Sequence, residues 1–191
     1  MRMTLLRTVE PSVEPVSVAE ARGFLRISGT AEDELLAGLI RAARDDVERS
    51  TGMALIDQCW RLAVDTLPGN DMLSLPRCPV REILSVTAFG SEGEAELIDP
   101  GDLQADLASR PARLLFLKRP VSTRVLNGLE VDFRAGFGEA GTDVPDLLRR
   151  AIIVLVAHWY EFRGSFGPAD QPVSFPPQYE RMIAHYRDRR L

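Results

Sequence analysis

Ala135-Gly136-Phe137-Gly138-Glu139-Ala140-Gly141-Thr142-Asp143-Val144-Pro145, followed by Asp146 to Arg163, is the stretch in which this chain passes from strand to helix. Upstream, Leu129, Val131, Phe133, Ala135 and Phe137 alternate with Glu130, Asp132 and Arg134, the period-two pattern of a half-buried antiparallel strand. Gly136 and Gly138 suit a turn with unusual φ, and Thr142-Asp143 offers side-chain oxygens to cap the following helix. Pro145 fits the first helical turn, where its missing N–H costs nothing. From Leu147 to Phe162 apolar residues cover more than one face, so this third helix is expected to be buried on several sides. A half-buried strand feeding a core helix predicts an α+β fold.

Working towards the N-terminus, residues 1–16 carry Pro11 and Pro15 without clean periodicity and read as an extended arm. Ser17 and Glu20 have capping-box spacing ahead of a short first helix striped by Val18, Ala21, Phe24, Leu25 and Ile27. Thr30 is the expected cap of a second helix of about five turns. In it Leu35, Leu36, Leu39, Ile40, Ala43 and Val47 form the core face, Arg41, Arg44, Asp45, Glu48 and Arg49 lie elsewhere, and Gly52 is the stop. Between residues 55 and 128 the pattern alternates and turns recur, which predicts an inserted antiparallel β-region. Strands are expected around Trp60–Val64, Met72–Leu75 and Ile83–Phe89, with a hairpin of Leu103–Leu107 and Arg113–Leu117.

Beyond the third helix, Gly164 to Pro177 reads as a Pro-rich linker, stiff in places. The last segment places Tyr179, Met182, Ile183 and Tyr186 at helical spacing, with Phe175 ahead of them and Arg187, Arg189 and Arg190 behind. The expected organisation is an arm (1–16), a helical core with its closing strand (17–54 plus 129–164), an inserted β-region (55–128), and a linker and tail (165–191).

Of 191 residues, 45% are apolar and 27% charged, within the ordinary globular range. A net charge of −5 argues against a general nucleic-acid binder. No apolar run approaches the roughly 20 residues that span a bilayer, so no membrane partner is expected. Cys59 and Cys78 do not form a close metal-ligand pair, and a reduced compartment is expected for them. His158 and Glu161, three apart on a helix, have ligand spacing but lack the further donors a bundle metal site requires. Glu32, Asp33 and Glu34 read as first-turn capping charges. Gly136 to Gly141 departs from the Gly-x-Gly-x-x-Gly form, and no Lys-Ser or Lys-Thr follows. No catalytic residue, cofactor site or metal site is predicted.

Four stretches taken in order point further: Pro15 to Ala21 leading to Phe24-Leu25-Arg26-Ile27; Glu32-Asp33-Glu34-Leu35-Leu36 through Val47-Glu48 to Thr51-Gly52; Ala135-Gly136-Phe137-Gly138; and Val144-Pro145 through Ala151-Ile152 to Trp159-Tyr160-Glu161-Phe162-Arg163. Together they resemble the head-tail connector (adaptor) proteins of tailed bacteriophages and phage-derived gene transfer agents, some of which carry an extra β-region between helices two and three. The resemblance implies a structural protein without a reaction, made in the bacterial cytoplasm and then built into the particle. It implies self-association into a ring, dodecameric in the particle, beneath a portal protein, with a stopper or tail component beyond and DNA passing through the bore unbound. It also implies a tail that reaches the portal. Phe175, Tyr179, Met182, Ile183, Tyr186, Arg187, Arg189 and Arg190 are the expected contacts, ordering only on the portal. The alternative, a small cytosolic enzyme or regulatory module with a pocket in the β-region, rests on no motif.

Overall fold

The computed structural model describes residues 2–122, 124–162 and 175–187. The chain forms two compact units, Met1–Ser12 with Asp57–Phe137 and Val13–Ile56 with Gly138–Leu191. Helices and antiparallel sheets together make the fold α+β.

The first unit contains β1 (Met3–Val9), β2 (Gln58–Val64), β3 (Met72–Leu75), β4 (Val80–Phe89), β5 (Ala95–Leu97), β6 (Leu103–Asp106), β7 (Ala112–Phe116) and β8 (Leu129–Ala135). One sheet runs β1-β2-β8-β4-β5 and a second runs β3-β7-β6. In the first, Trp60 pairs with Phe133 and Leu62 with Val131, so large apolar residues of β2 and β8 share a face. Trp60, Leu62, Val64, Val131, Phe133 and Ala135 are all buried. On the other face Arg61 makes a bidentate contact with Asp132 at 2.7 and 2.8 Å, joined by Ser85 Oγ at 3.3 Å. The Arg61 hydrogen bond, working against partial burial, holds the Asp132 carboxyl below its ordinary range.

Two expectations change here. Residues 3–9 of the expected arm are a strand, paired antiparallel with β2 from Met3↔Val64 to Val9↔Cys59. The Arg7 guanidinium lies 5.1 Å from the centre of the Trp60 ring, a cation–π contact. Their sequence lacks alternation because an edge strand buries neither face, and Met3, Leu6 and Val9 remain about half exposed. Residues 129–135, grouped from the sequence with the helical core, lie between β2 and β4 in the middle of the sheet. β8 closes the sheet rather than the helical body.

The second unit contains α1 (Val18–Leu25), α2 (Asp33–Thr51), α3 (Asp146–Phe162) and α4 (Pro177–Ile183). The Ser17–Glu20 capping box is formed, with Glu20 accepting from Ser17 N at 2.8 Å and Ser17 Oγ accepting from Glu20 N at 3.2 Å. Those Ser17 hydrogen bonds are the main reason the Glu20 carboxyl sits below its ordinary range, with help from Arg149. Helix α2 has Glu32, not Thr30, at its N-cap and no side-chain cap. The amide of Asp33 is instead satisfied by the Thr30 carbonyl at 3.2 Å. Gly52 ends the helix at φ 73°, its N–H donating to Glu48 O at 3.0 Å.

The buried stripe of α2 is Leu36, Ile40, Ala43 and Val47, whereas Leu35 is 41% exposed. Arg44 and Glu48, expected among the polar positions, are buried as a network. Arg44 donates to Glu14 at 2.8 Å, Asp45 at 2.9 Å and Glu48 at 3.3 Å, and Glu48 accepts from Leu55 N at 2.8 Å. Burial opposes the Arg44 charge. The hydrogen bond and charge of Glu14, with Glu48 and Asp45, outweigh it and raise its pKa. Helix α3 starts one residue after Pro145, and Asp143 caps the preceding 3₁₀ turn at Ala140 N. It packs on α1, α2 and α4. Leu148, Ala151, Ile152, Leu155 and Val156 are buried, but Leu147 and Phe162 are over a third exposed, so its buried surface is one broad face.

Candidate docking surface

The tail stripe read from the sequence is divided by the structure. Within α4, Tyr179 and Ile183 are fully buried against the chain's own helices, while Phe175 is 40% exposed, Met182 and Tyr186 are half-buried and Arg187 is exposed. Arg189 and Arg190 lie outside the described residues, as do residues 163–174, which hold most of the linker expected from Gly164 to Pro177. The expectation that the tail orders only on a partner therefore fails for 175–187, which already form a docked helix and turn. The reason is chemical. The Tyr179 hydroxyl donates to Asp46 Oδ2, and Asp46 Oδ1 also accepts from Arg49 at 2.6 Å, so a 5%-exposed carboxylate has both oxygens bonded. Burial first, and then Asp46, push the Tyr179 hydroxyl pKa well up. Each fully buried apolar side chain contributes about 1.5 to 3 kcal/mol, enough to hold a seven-residue helix that could not persist alone.

What α4 and the turn after it present outward is basic and polar: Gln178 and Arg181 on the helix and His185 and Arg187 beyond it are exposed, with Arg187 bonded to Glu180 at 2.7 Å. Spacing alone could not divide the stripe, because its partners are distant in sequence: Asp46 of α2, which accepts from the Tyr179 hydroxyl, and α3, against which α4 mainly packs. The His158 ring lies against the Phe162 ring in a tilted arrangement, with centroids 4.7 Å apart. No group of three or more His, Cys, Asp or Glu able to hold a metal occurs among the described residues. Among them no helix is long and apolar enough to cross a membrane.

Residues 15–88 match the model of the phage gp6-like head-tail connector protein family. That region covers the capping box, α1, α2 and the first half of the β-region. The chain is similar to head-tail connectors. Its whole fold agrees: a chain in the neck of an empty gene transfer agent particle, computed with C6 symmetry, superposes with a TM-score of 0.81 at 28% identity, covering 98% of this chain and 97% of that one. A chain in the virion of a native gene transfer agent particle gives 0.80 at 27% identity, with the same coverages. One from the neck of a native particle, computed with C12 symmetry, gives 0.77 at 27% identity and covers 100% and 97%. No curated protein matches the sequence.

Proposed function

We propose that the chain is a structural head-tail adaptor of a phage or gene transfer agent particle, forming a ring under the portal and joining it to the stopper or tail. The observation that carries this is the agreement along nearly the whole chain with proteins in gene transfer agent necks. The C6 and C12 symmetries of those necks support a ring of copies. The net charge of −5 suits a bore through which DNA passes without being held. The role is architectural and needs no catalytic group.

The portal side is assigned to residues 175–191. With Tyr179 and Ile183 committed inward, first contact falls to Phe175, Met182, Tyr186 and the arginines Arg187, Arg189 and Arg190. The test is electron microscopy of the full chain mixed with its portal protein. A ring stacked on the portal is expected, and a chain that stays unbound in excess portal refutes the adaptor reading. Arg187→Glu with Arg189→Glu and Arg190→Glu, changes made at charged tail positions, is expected to weaken portal binding by about tenfold or more. Unchanged binding moves the portal contact elsewhere on the chain.

A further inference from the structure

The five-stranded sheet is open at both ends. Strand β1 pairs only with β2, from Met3↔Val64 to Val9↔Cys59, and among the described residues no strand lies on its other side. At the far end β5 covers β4 only over Thr87–Phe89, and Val86 O accepts from Ile98 N at 2.9 Å. Residues 81–85 of β4 therefore keep an outer edge that no strand covers among the described residues. An uncovered edge presents N–H and C=O groups ready to pair with another strand, and proteins guard such edges by brevity, proline, lysine or inward charge. Strands β3, β5 and β6, of four, three and four residues, are guarded by brevity. β1 is not. It runs for seven residues without proline or lysine, and its one charge, Arg7, lies over Trp60 and is bonded to Glu10 at 2.6 Å. Its Met3, Leu6 and Val9 stay about half exposed.

The open stretch of β4 also borders a recess. Residues 81–86 line a cleft of about 410 Å³ whose remaining lining includes Leu97, Leu103, Ala105 and Leu114. Open backbone beside an apolar recess fits an extended strand, because main-chain bonds hold the strand while alternate side chains fill the recess. A helix would leave the β4 edge unpaired. Charge is not what the site selects: Arg81 is bonded to Asp57 at 2.8 Å, and Glu82 lies 3.7 Å from Arg134. The pairing of β4 with β8 is irregular between Val80 and Glu82 and between Ile83 and Ser85, and bends of this kind restrict the edge to a strand that follows them.

We infer that β1 of one copy adds to the open edge of β4 in the next, so that the sheet runs on from subunit to subunit. Direction and faces agree. All pairings along β1, β2, β8 and β4 are antiparallel, so β1 runs with β8 and against β2 and β4. A second copy set beside the first in the same orientation brings β1 antiparallel to β4, with Met3 towards Ser85 and Val9 towards Arg81. The cross-strand rows Met3–Val64–Leu129–Ala88 and Leu5–Leu62–Val131–Val86 put Met3 and Leu5 on the face of Val86, which lines the cleft. In the continued sheet the arriving Met3 and Leu5 lie on the cleft side. Two different edges joined in this way make a head-to-tail contact, which closes into a ring when the rotation allows, whereas β1 paired with β1 would close a dimer and leave β4 open. The inference rests on the ring reading above and names its subunit contact.

The test uses the full chain in assembled particles, with a photoreactive residue replacing Leu6 in one preparation and Leu84 in another. Irradiation is expected to link position 6 to residues 81–86 of a second copy, and position 84 to residues 3–9. Within one copy β2 and β8 separate β1 from β4, so such a link reports a neighbour. Links from position 6 to residues 3–9 of a second copy, to another protein, to another surface or to nothing, in particles that contain the chain, overturn this contact and leave the adaptor reading standing. Absence of the wild-type chain from particles overturns the adaptor reading itself. Leu6→Lys puts an edge-guarding charge at a 54%-exposed position. It is expected to cut incorporation by about tenfold or more while the free chain melts as the wild type does; incorporation at the wild-type level overturns the inference.

Discussion

Replacing Tyr179 by Phe removes one oxygen and no packing, so it isolates the bond that fastens α4. Tyr179 is 0% and Asp46 5% exposed, and the substitution strips a hydrogen bond from a buried carboxylate. Hydrogen bonds to charged groups contribute about 1.5 to 3 kcal/mol, and each 1.4 kcal/mol is tenfold in an equilibrium, so undocking of α4 should become about ten- to hundredfold more frequent. Hydrogen exchange reads this directly. The Ala184 amide, bonded to Glu180 O at 3.1 Å, should lose protection by that factor, while sheet amides such as Gly136, bonded to Pro79 O at 3.0 Å, keep theirs. Wild-type exchange at Ala184, or equal acceleration in the sheet, would refute the reasoning. The bond also has a pH signature. The Tyr179 pKa is raised, so the stability it contributes is complete below the ordinary tyrosine value near 10 and is lost as pH climbs from there towards the folded value. In an absorbance titration one tyrosine should ionise late, and that late step should vanish in Y179F.

Ile152→Asp places a charge at a 0%-exposed position of α3 and should abolish cooperative melting of the helical unit, whereas Ile152→Ala should cost about 2 to 5 kcal/mol in denaturant titrations. Asp132 has a depressed pKa, so its stabilising share is present above the ordinary Asp value near 3.9 and lost as pH falls below it; Arg61→Ala should flatten that acid limb of the stability curve while costing only about 1 kcal/mol at neutral pH. Gly141→Ala should destabilise the helical unit, because its Cβ would lie 2.9 Å from Pro15 O, and the lost stability would appear as a lower midpoint with an unchanged denaturant slope. Gly128→Ala, whose Cβ would meet Arg124 O at 2.7 Å and Asp65 O at 2.9 Å, should destabilise the sheet unit, seen as a lower denaturation midpoint.

Elements that satisfy themselves locally could be read from the chain. The Ser17–Glu20 box, the Gly52 stop and the alternation of β8 each depend on neighbours a few residues away. So did the order of motifs that pointed to the connector family. What stayed hidden depended on distant partners. Strand β1 exists because β2 offers an edge some fifty residues on, and nothing within residues 3–9 encodes that. The membership of β8 turns on β2 and β4, since alternation reveals a buried face but not which unit buries it. Tyr179 and Ile183 have the spacing of a partner-seeking helix, and the same spacing serves a helix that folds back on its own chain. Asp46 of α2 and the packing face of α3 distinguish the two, and no local pattern links either to the tail.

The central place of β8 has a consequence for synthesis. Strands β2 and β4 never pair with each other, since each lies against β8, and β8 leaves the ribosome after both. Until residue 135 is out, β1–β2 and β4–β5 are two separate pairs with open inner edges. The helical unit waits as well, because α1 and α2 are early and α3 is late. Both units are therefore completed only in the last third of translation, and the nascent chain carries exposed strand edges from the end of β2 until β8 has emerged. Such edges are sites of mispairing between chains, so slowing elongation after β5 should lower the soluble yield more than slowing it after α3.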